Sequence, residues 1–142
     1  MLHPSREQYL EVAQALFDDG YRFCTDVTAV DYLLAQQARA LPAGIAAARF
    51  EVVAGFLNHT ERTRIRLRVQ VPEDDPTCAS LWVLHAGVEA LEREVFDMFG
   101  ITFDGHPDMT RILMPETWQG HPLRKDYAHG RIPVQFKGAP SS

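Results

Sequence analysis

Between Arg64 and Val71 the chain alternates with period two. Ile65, Leu67, Val69 and Val71 fall on one side, and Arg64, Arg66, Arg68 and Gln70 on the other. Successive side chains of a strand point to opposite faces, so the run predicts a strand with one face in a core and an arginine stripe on the other. Alternation of this kind is the default for a half-exposed antiparallel sheet, which makes a solvated face the first reading of the stripe. A docking surface for an acidic partner is the competing one. The use of twelve Arg against two Lys fits interface work by the planar guanidinium, and fits a GC-rich genome equally well.

Two further strands are expected around this one. Phe50 to Leu57 leads into it through the polar turn Asn58-His59-Thr60-Glu61-Arg62, and Tyr21 to Tyr32 is rich in aromatic, Val and Thr side chains. Ser5-Arg6-Glu7-Gln8 has the form of a capping box, and Tyr9, Val12, Ala13, Leu16 and Phe17 follow at helical spacing. This predicts a helix over Ser5–Asp19 with Gly20 just past its end. A second helix is predicted from Val88 to Phe99, where Val88, Leu91, Val95, Met98 and Phe99 line one side and Gly100 can end it. Its other side shows a carboxylate-rich face, Glu89, Glu92 and Asp97, with Arg93 amid them. Pro72–Pro76 reads as a loop, after which Thr77 can cap a short helix. Leu33 to Ala48 reads as a long connection.

These elements make a two-layer α+β domain, a mostly antiparallel sheet packed by helices, over 1–103. The last 39 residues, 104–142, differ in kind, because they hold five of the nine prolines and four of the nine glycines and show no sustained period. Ordering that backbone costs about 40–80 kcal/mol, whereas burying about nine of its large apolar side chains returns roughly 15–30 kcal/mol. An extended, proline-rich C-terminal tail docked on a partner is expected.

A chain of 142 residues needs neither disulfides nor a structural metal to hold a core. Two cysteines, Cys24 and Cys78, cannot supply the four thiolates of a usual iron–sulfur cluster. The longest stretch without a charged residue, Thr77 to Val88, has twelve positions, short of the ~18 that cross a bilayer. Without a basic start and apolar run at the N-terminus, the expected compartment is the cytoplasm, and a net charge of −5 argues against nucleic acid as a partner.

The sharpest cluster for an enzyme is Gly105-His106-Pro107-Asp108, Glu116 and Gly120-His121-Pro122. Two imidazoles and nearby carboxylates are ligand types for zinc or non-haem iron. Each histidine, however, lies between Gly and Pro, a context that reads first as a turn whose ring nitrogens bond backbone or carboxylate groups. Glu92 and Glu94 point to different sides of a helix, which disfavours a general acid/base pair and favours salt-bridging to a partner.

From Glu92-Arg93-Glu94-Val95-Phe96-Asp97-Met98-Phe99-Gly100-Ile101 through Phe103 and Gly105-His106-Pro107-Asp108, the sequence resembles a known family. It is similar to the C subunit of the proton-pumping NADH:quinone oxidoreductase, respiratory complex I, the counterpart of the J subunit in the chloroplast-type enzyme. That family's motif runs E-R-E-x-x-D, two apolar residues, six variable ones and His. The run Arg111 to Pro115, then Trp118 and Gly120 to Tyr127, matches the family's ending. Thr110, Ala90 and His85 depart from the residues usual there, which bears on packing and partner contacts near the second helix.

The resemblance implies a scaffold protein that carries no flavin or iron–sulfur cluster of its own, FMN and the clusters residing in partner subunits. It implies a place in the peripheral arm on the cytoplasmic face of the membrane, packed against the D subunit near the quinone site. Interface residues are then expected at Glu92, Arg93, Glu94, Asp97, His106, Arg111, Trp118, His121, Arg124, Lys125, Asp126 and Tyr127. Arg93, Trp118 and Arg124 are the expected anchors. Two alternatives remain: the equivalent subunit of a membrane-bound hydrogenase or a deazaflavin- or ferredoxin-fed dehydrogenase, and a small metal-dependent hydrolase using His106, Asp108 and His121.

Overall fold

The computed structural model describes residues 1–35 and 39–128. Three nine-residue strands, β1 (Phe23–Asp31), β2 (Phe50–Asn58) and β3 (Thr63–Val71), form an antiparallel sheet in the order β1-β2-β3. The alternation read in the sequence sets the register: Leu67 faces Ala54, Val69 faces Val52 and Val71 faces Phe50, all buried on one side. Central β2 is buried along nearly its whole length, and for that reason its sequence lacks a clean alternation.

Helices α1 (Arg6–Asp18) and α2 (Glu89–Phe99) cover the buried face, α1 over β3 and α2 over β1. The capping box at the start of α1 is formed, the Ser5 hydroxyl accepting from Gln8 N–H and the Gln8 side chain accepting from Ser5 N–H. Tyr9 and Ala13 of α1 meet Phe50, Val52, Ala54, Phe56 and the inward residues of β3 in one core. The result is the expected two-layer α+β architecture.

Thr77 does not cap a helix. Residues Thr77–Ala79 form a short strand, β4, parallel to β5 (Thr102–Asp104). Cys78 turns inward there, and the Arg6 guanidinium holds the Thr77 carbonyl and hydroxyl at 3.1 Å each. The crossover between β4 and β5 runs through a 3-10 turn at Ala86–Val88 and then α2. Gly100 ends α2 at φ 79°, and a Cβ there would come 2.7 Å from Arg124 Nη2 and from His121 Cδ2. Residues 33–35 and 39–48 contain no helix or strand.

Residues 104–128 lack regular structure beyond β5, yet they lie back on α2 and the end of β1 through this chain's own hydrogen bonds. Residues 129–142 of the expected tail are outside the described part.

Candidate partner-docking site

A helix leaves its last four carbonyls without intrahelical donors. In α2 these belong to Phe96, Asp97, Met98 and Phe99, and each finds a donor beyond the helix. Gly100 N–H donates to Phe96 O at 2.8 Å, Leu123 N–H to Met98 O at 3.0 Å and Arg124 Nε to Phe99 O at 2.7 Å. Asp97 O accepts from His121 Nδ1 at 3.0 Å and from Arg111 Nη1 at 3.1 Å. Two guanidiniums thus stand at the negative end of the helix dipole, where cations are favoured. This is why the segment seats on its own chain: counting apolar side chains alone omits every one of these bonds.

The Asp97 side chain, fully buried, is the centre of the arrangement. One oxygen pairs with Arg111 Nη1 at 2.5 Å, and the other accepts the consecutive amides of Ile112, Leu113 and Met114 at 3.1, 2.7 and 2.8 Å. Burial alone would push this carboxyl up, but the Met114 amide, Arg111 and the Leu113 and Ile112 amides outweigh it and hold the group below the usual range. Asp97 is therefore an ionised anchor. It leaves Ile112 and Leu113 turned outward, 40% and 61% exposed.

Glu92 does the same at the other end of α2. It is fully buried, accepting from Ser80 Oγ at 2.6 Å and from Leu81 N–H at 2.8 Å. Burial raises its pKa, an effect that the Ser80 and Leu81 bonds only partly offset. The outward carboxylate face expected on α2 is therefore corrected: Glu92 and Asp97 face inward and hold loops, while Glu89 pairs with Arg93 at 3.6 Å. Glu94 is exposed and has no ion pair among the described residues. Arg93 also straps the tail, donating to the carbonyls of Thr110 and Arg111 at 3.1 and 2.9 Å.

Both Gly-His-Pro histidines act as turn straps. His106 Nδ1 accepts from Asp108 N–H at 2.9 Å, which puts the proton on Nε2, donated to Glu89 O at 2.9 Å. His121 is held neutral-leaning by burial and by the nearby Arg124 and Arg111 charges, which together outweigh its bond to the Asp97 carbonyl. Among the described residues no group of three or more His, Cys, Asp and Glu could hold a metal ion.

The remaining expected residues converge on one corner. Lys125 N–H donates to Asp31 Oδ2 at 2.8 Å, Asp126 pairs with Arg49 at 2.9 Å, and Trp118 Nε1 donates to the Tyr127 hydroxyl at 2.9 Å. The pivot is the buried Arg49–Asp31 pair, bidentate at 2.9 Å and 2.9 Å, with Glu73 at 3.0 Å on the outer side. Asp31, pushed up by burial, is brought below its ordinary value by Arg49 and by the Lys125 and Leu33 amides. Sequence reasoning missed this pair as a site. The signal was strand parity: Val27, Ala29 and Asp31 share the inward face of β1, so a carboxylate stood in a core position that demands a buried cation. Taken together, the arrangement is a device for holding an irregular segment rigid, with Ile112, Leu113 and Leu123 exposed on it.

A model of the family described as "Respiratory-chain NADH dehydrogenase, 30 Kd subunit" matches residues 2–132. The C subunit of NADH-quinone oxidoreductase from Salinispora arenicola (strain CNS-205) is 43% identical over 141 residues, covering 97% of this chain and 54% of the relative. Its counterpart in Nocardioides sp. (strain ATCC BAA-499 / JS614) is 45% identical over 139 residues, covering 96% and 52%. The chain thus spans about half the length of the curated relatives it matches. Among solved structures, the trypsin-resistant fragment (1-134) of Nqo5 superposes with a TM-score of 0.64 at 33% identity, over 75% of this chain and 79% of that one. A polypeptide of the membrane-bound sulfane sulfur reductase, an archaeal respiratory membrane complex, reaches a TM-score of 0.70 over 95% of this chain and 75% of its own, at 18% identity. That last likeness is one of fold.

Proposed function

The chain belongs to the family of the respiratory-chain NADH dehydrogenase 30 Kd subunit, and from that premise we propose that it is a non-redox structural component of the peripheral arm of a proton-translocating NADH:quinone oxidoreductase. In this role it packs against the D subunit near the quinone site, contacts other peripheral-arm subunits, and supports electron transfer from NADH to quinone by the whole complex. FMN and the iron–sulfur clusters belong to partner subunits. No helix among the described residues is long and apolar enough to cross a membrane, and the association with the cytoplasmic face of the membrane is indirect, through the complex.

The observation that carries this role is the anchored segment itself. Asp97 and the end of α2 hold residues 111–124 in place while Ile112, Leu113 and Leu123 stay exposed. Preorganised apolar side chains on a segment that loses little entropy on docking are what a stable interface between subunits uses. Asp97 acts as the support from within, and Arg124, next in the chain to exposed Leu123, ties the segment to Phe99 O. Co-expression with the D subunit, then size exclusion and an absorbance scan, tests the role. The two proteins are expected to co-elute, with no visible absorbance from this one. A folded monomer that ignores its quinone-site partner, or one that absorbs in the visible, overturns it.

A further inference from the structure

We propose that the open face of the β1-β2-β3 sheet, where the Arg64 and Arg66 guanidiniums have no partner among the described residues, is a groove for an extended acidic segment of a partner protein. It is separate from the surface carried by residues 111–124.

The register places Asp26, Gly55 and Arg66 side by side across the three strands, and Thr28, Val53 and Arg68 in the next rank. Gly55 contributes no side chain, and Thr28 and Val53 are short. With Arg64 and Arg66 along one wall they enclose a groove of about 610 Å³.

The stripe is not uniform. Arg68 is consumed within the chain, paired at 2.7 Å with buried Glu51, which also takes Gln70 Nε2 at 2.8 Å. The groove end differs: Arg64 and Arg66 are exposed, and their guanidiniums make no hydrogen bond or ion pair among the described residues. Asp26, the one carboxylate lining the groove, lies across Gly55 from Arg66 without pairing with it. In a chain of net charge −5, two adjacent uncompensated guanidiniums over a groove run against the overall charge.

The spacing names the ligand's form. Side chains at i and i+2 of a strand stand about 6–7 Å apart, which is also the repeat between alternate side chains of an extended peptide. Carboxylates at alternate positions of such a segment meet Arg64 and Arg66 in turn, each offered a planar fork suited to two parallel hydrogen bonds. Short residues of the segment fill the space over Thr28 and Val53, beside Thr25, whose hydroxyl stands over Gly55.

The test uses the full chain and a fluorescent peptide of alternating Glu and Thr, followed by anisotropy at low and high salt. Binding that weakens with salt is expected. R64E/R66E is expected to bind this probe at least about ten-fold more weakly, since rim charges act on encounter and partner choice, and to gain affinity for a Lys-Thr counterpart. T28W, which fills the groove without changing charge, is expected to block both. Both arginines are solvent-exposed, so an unchanged melting temperature confirms intact variants. The proposal is overturned if the wild-type chain ignores the Glu-Thr peptide, if R64E/R66E binds it equally well, or if vesicles of phosphatidylcholine and phosphatidylglycerol out-compete the peptide for the wild type, which would assign the face to a lipid surface.

Discussion

Asp97→Ala should unseat the segment after α2 while leaving the sheet intact. The substitution removes a buried ion pair, strands three amides and leaves the Arg111 guanidinium, whose side chain is only 12% exposed, with backbone carbonyls in place of a carboxylate. Removing one partner of a buried charge pair costs about 3–5 kcal/mol, a large share of the roughly 5–15 kcal/mol that holds a domain folded. Asp97→Asn keeps one carbonyl oxygen for the Leu113 and Met114 amides but loses the pair with Arg111. Its cost should be smaller, about 2–3 kcal/mol. Urea denaturation followed by tryptophan fluorescence measures both, and hydrogen exchange at Ile112, Leu113 and Met114 shows whether the loss is local. The pH dependence has a fixed sign. Asp97 is depressed in the fold, so its contribution is present above the ordinary value of 3.8 and is lost as pH falls through the folded one. Asp97→Asn should remove that part of the acid sensitivity and leave the part due to Asp31, which is also depressed. A loss under about 1 kcal/mol for Asp97→Ala, with the three amides still protected, would refute the reasoning.

Glu92 should behave in the opposite sense. Its pKa is raised in the fold, so its charging costs stability as pH rises from the ordinary 4.5 through the folded value, and Glu92→Gln should flatten that decline in urea titrations across the range. Arg49→Ala should cost about 3–5 kcal/mol by stranding buried Asp31, whereas Asp126→Asn, at a carboxylate whose side chain is 55% exposed, should cost under about 1 kcal/mol; denaturation midpoints decide. Gly100→Ala, forced to φ 79° with its Cβ 2.7 Å from Arg124 and His121, should lower the melting temperature more than Gly44→Ala, where φ is 87° but nothing lies within 4 Å.

Local patterns were legible where local physics decides them. The period-two run of β3, the Ser5–Gln8 capping box and Gly100 as the stop of α2 all appear where the sequence placed them. β4 was not legible, because a strand of three residues owes its existence to β5, which follows α2 in the chain. The burial of Glu92 did leave a trace: it falls on the same helical stripe as Val88, Val95 and Phe99, so the motif's first carboxylate sits among core positions. Asp97 left none, since what buries it is the returning segment and not the sheet. That return was missed because its stabilisation lies in backbone carbonyls at the end of α2, which no count of apolar residues records.

In the proposed role, Asp97 and the end of α2 display residues 111–124 for a partner subunit. Leu113 is 61% exposed and contributes only its backbone amide to the Asp97 anchor, so Leu113→Asp separates display from folding. Size exclusion of the variant with the D subunit, beside a melting curve of the variant alone, is the most direct measurement. An unchanged melting temperature is expected, with co-elution lost or weakened at least about ten-fold, as for a truncated interface anchor. A Leu113→Asp protein that co-elutes with the D subunit as well as the wild type does would contradict it.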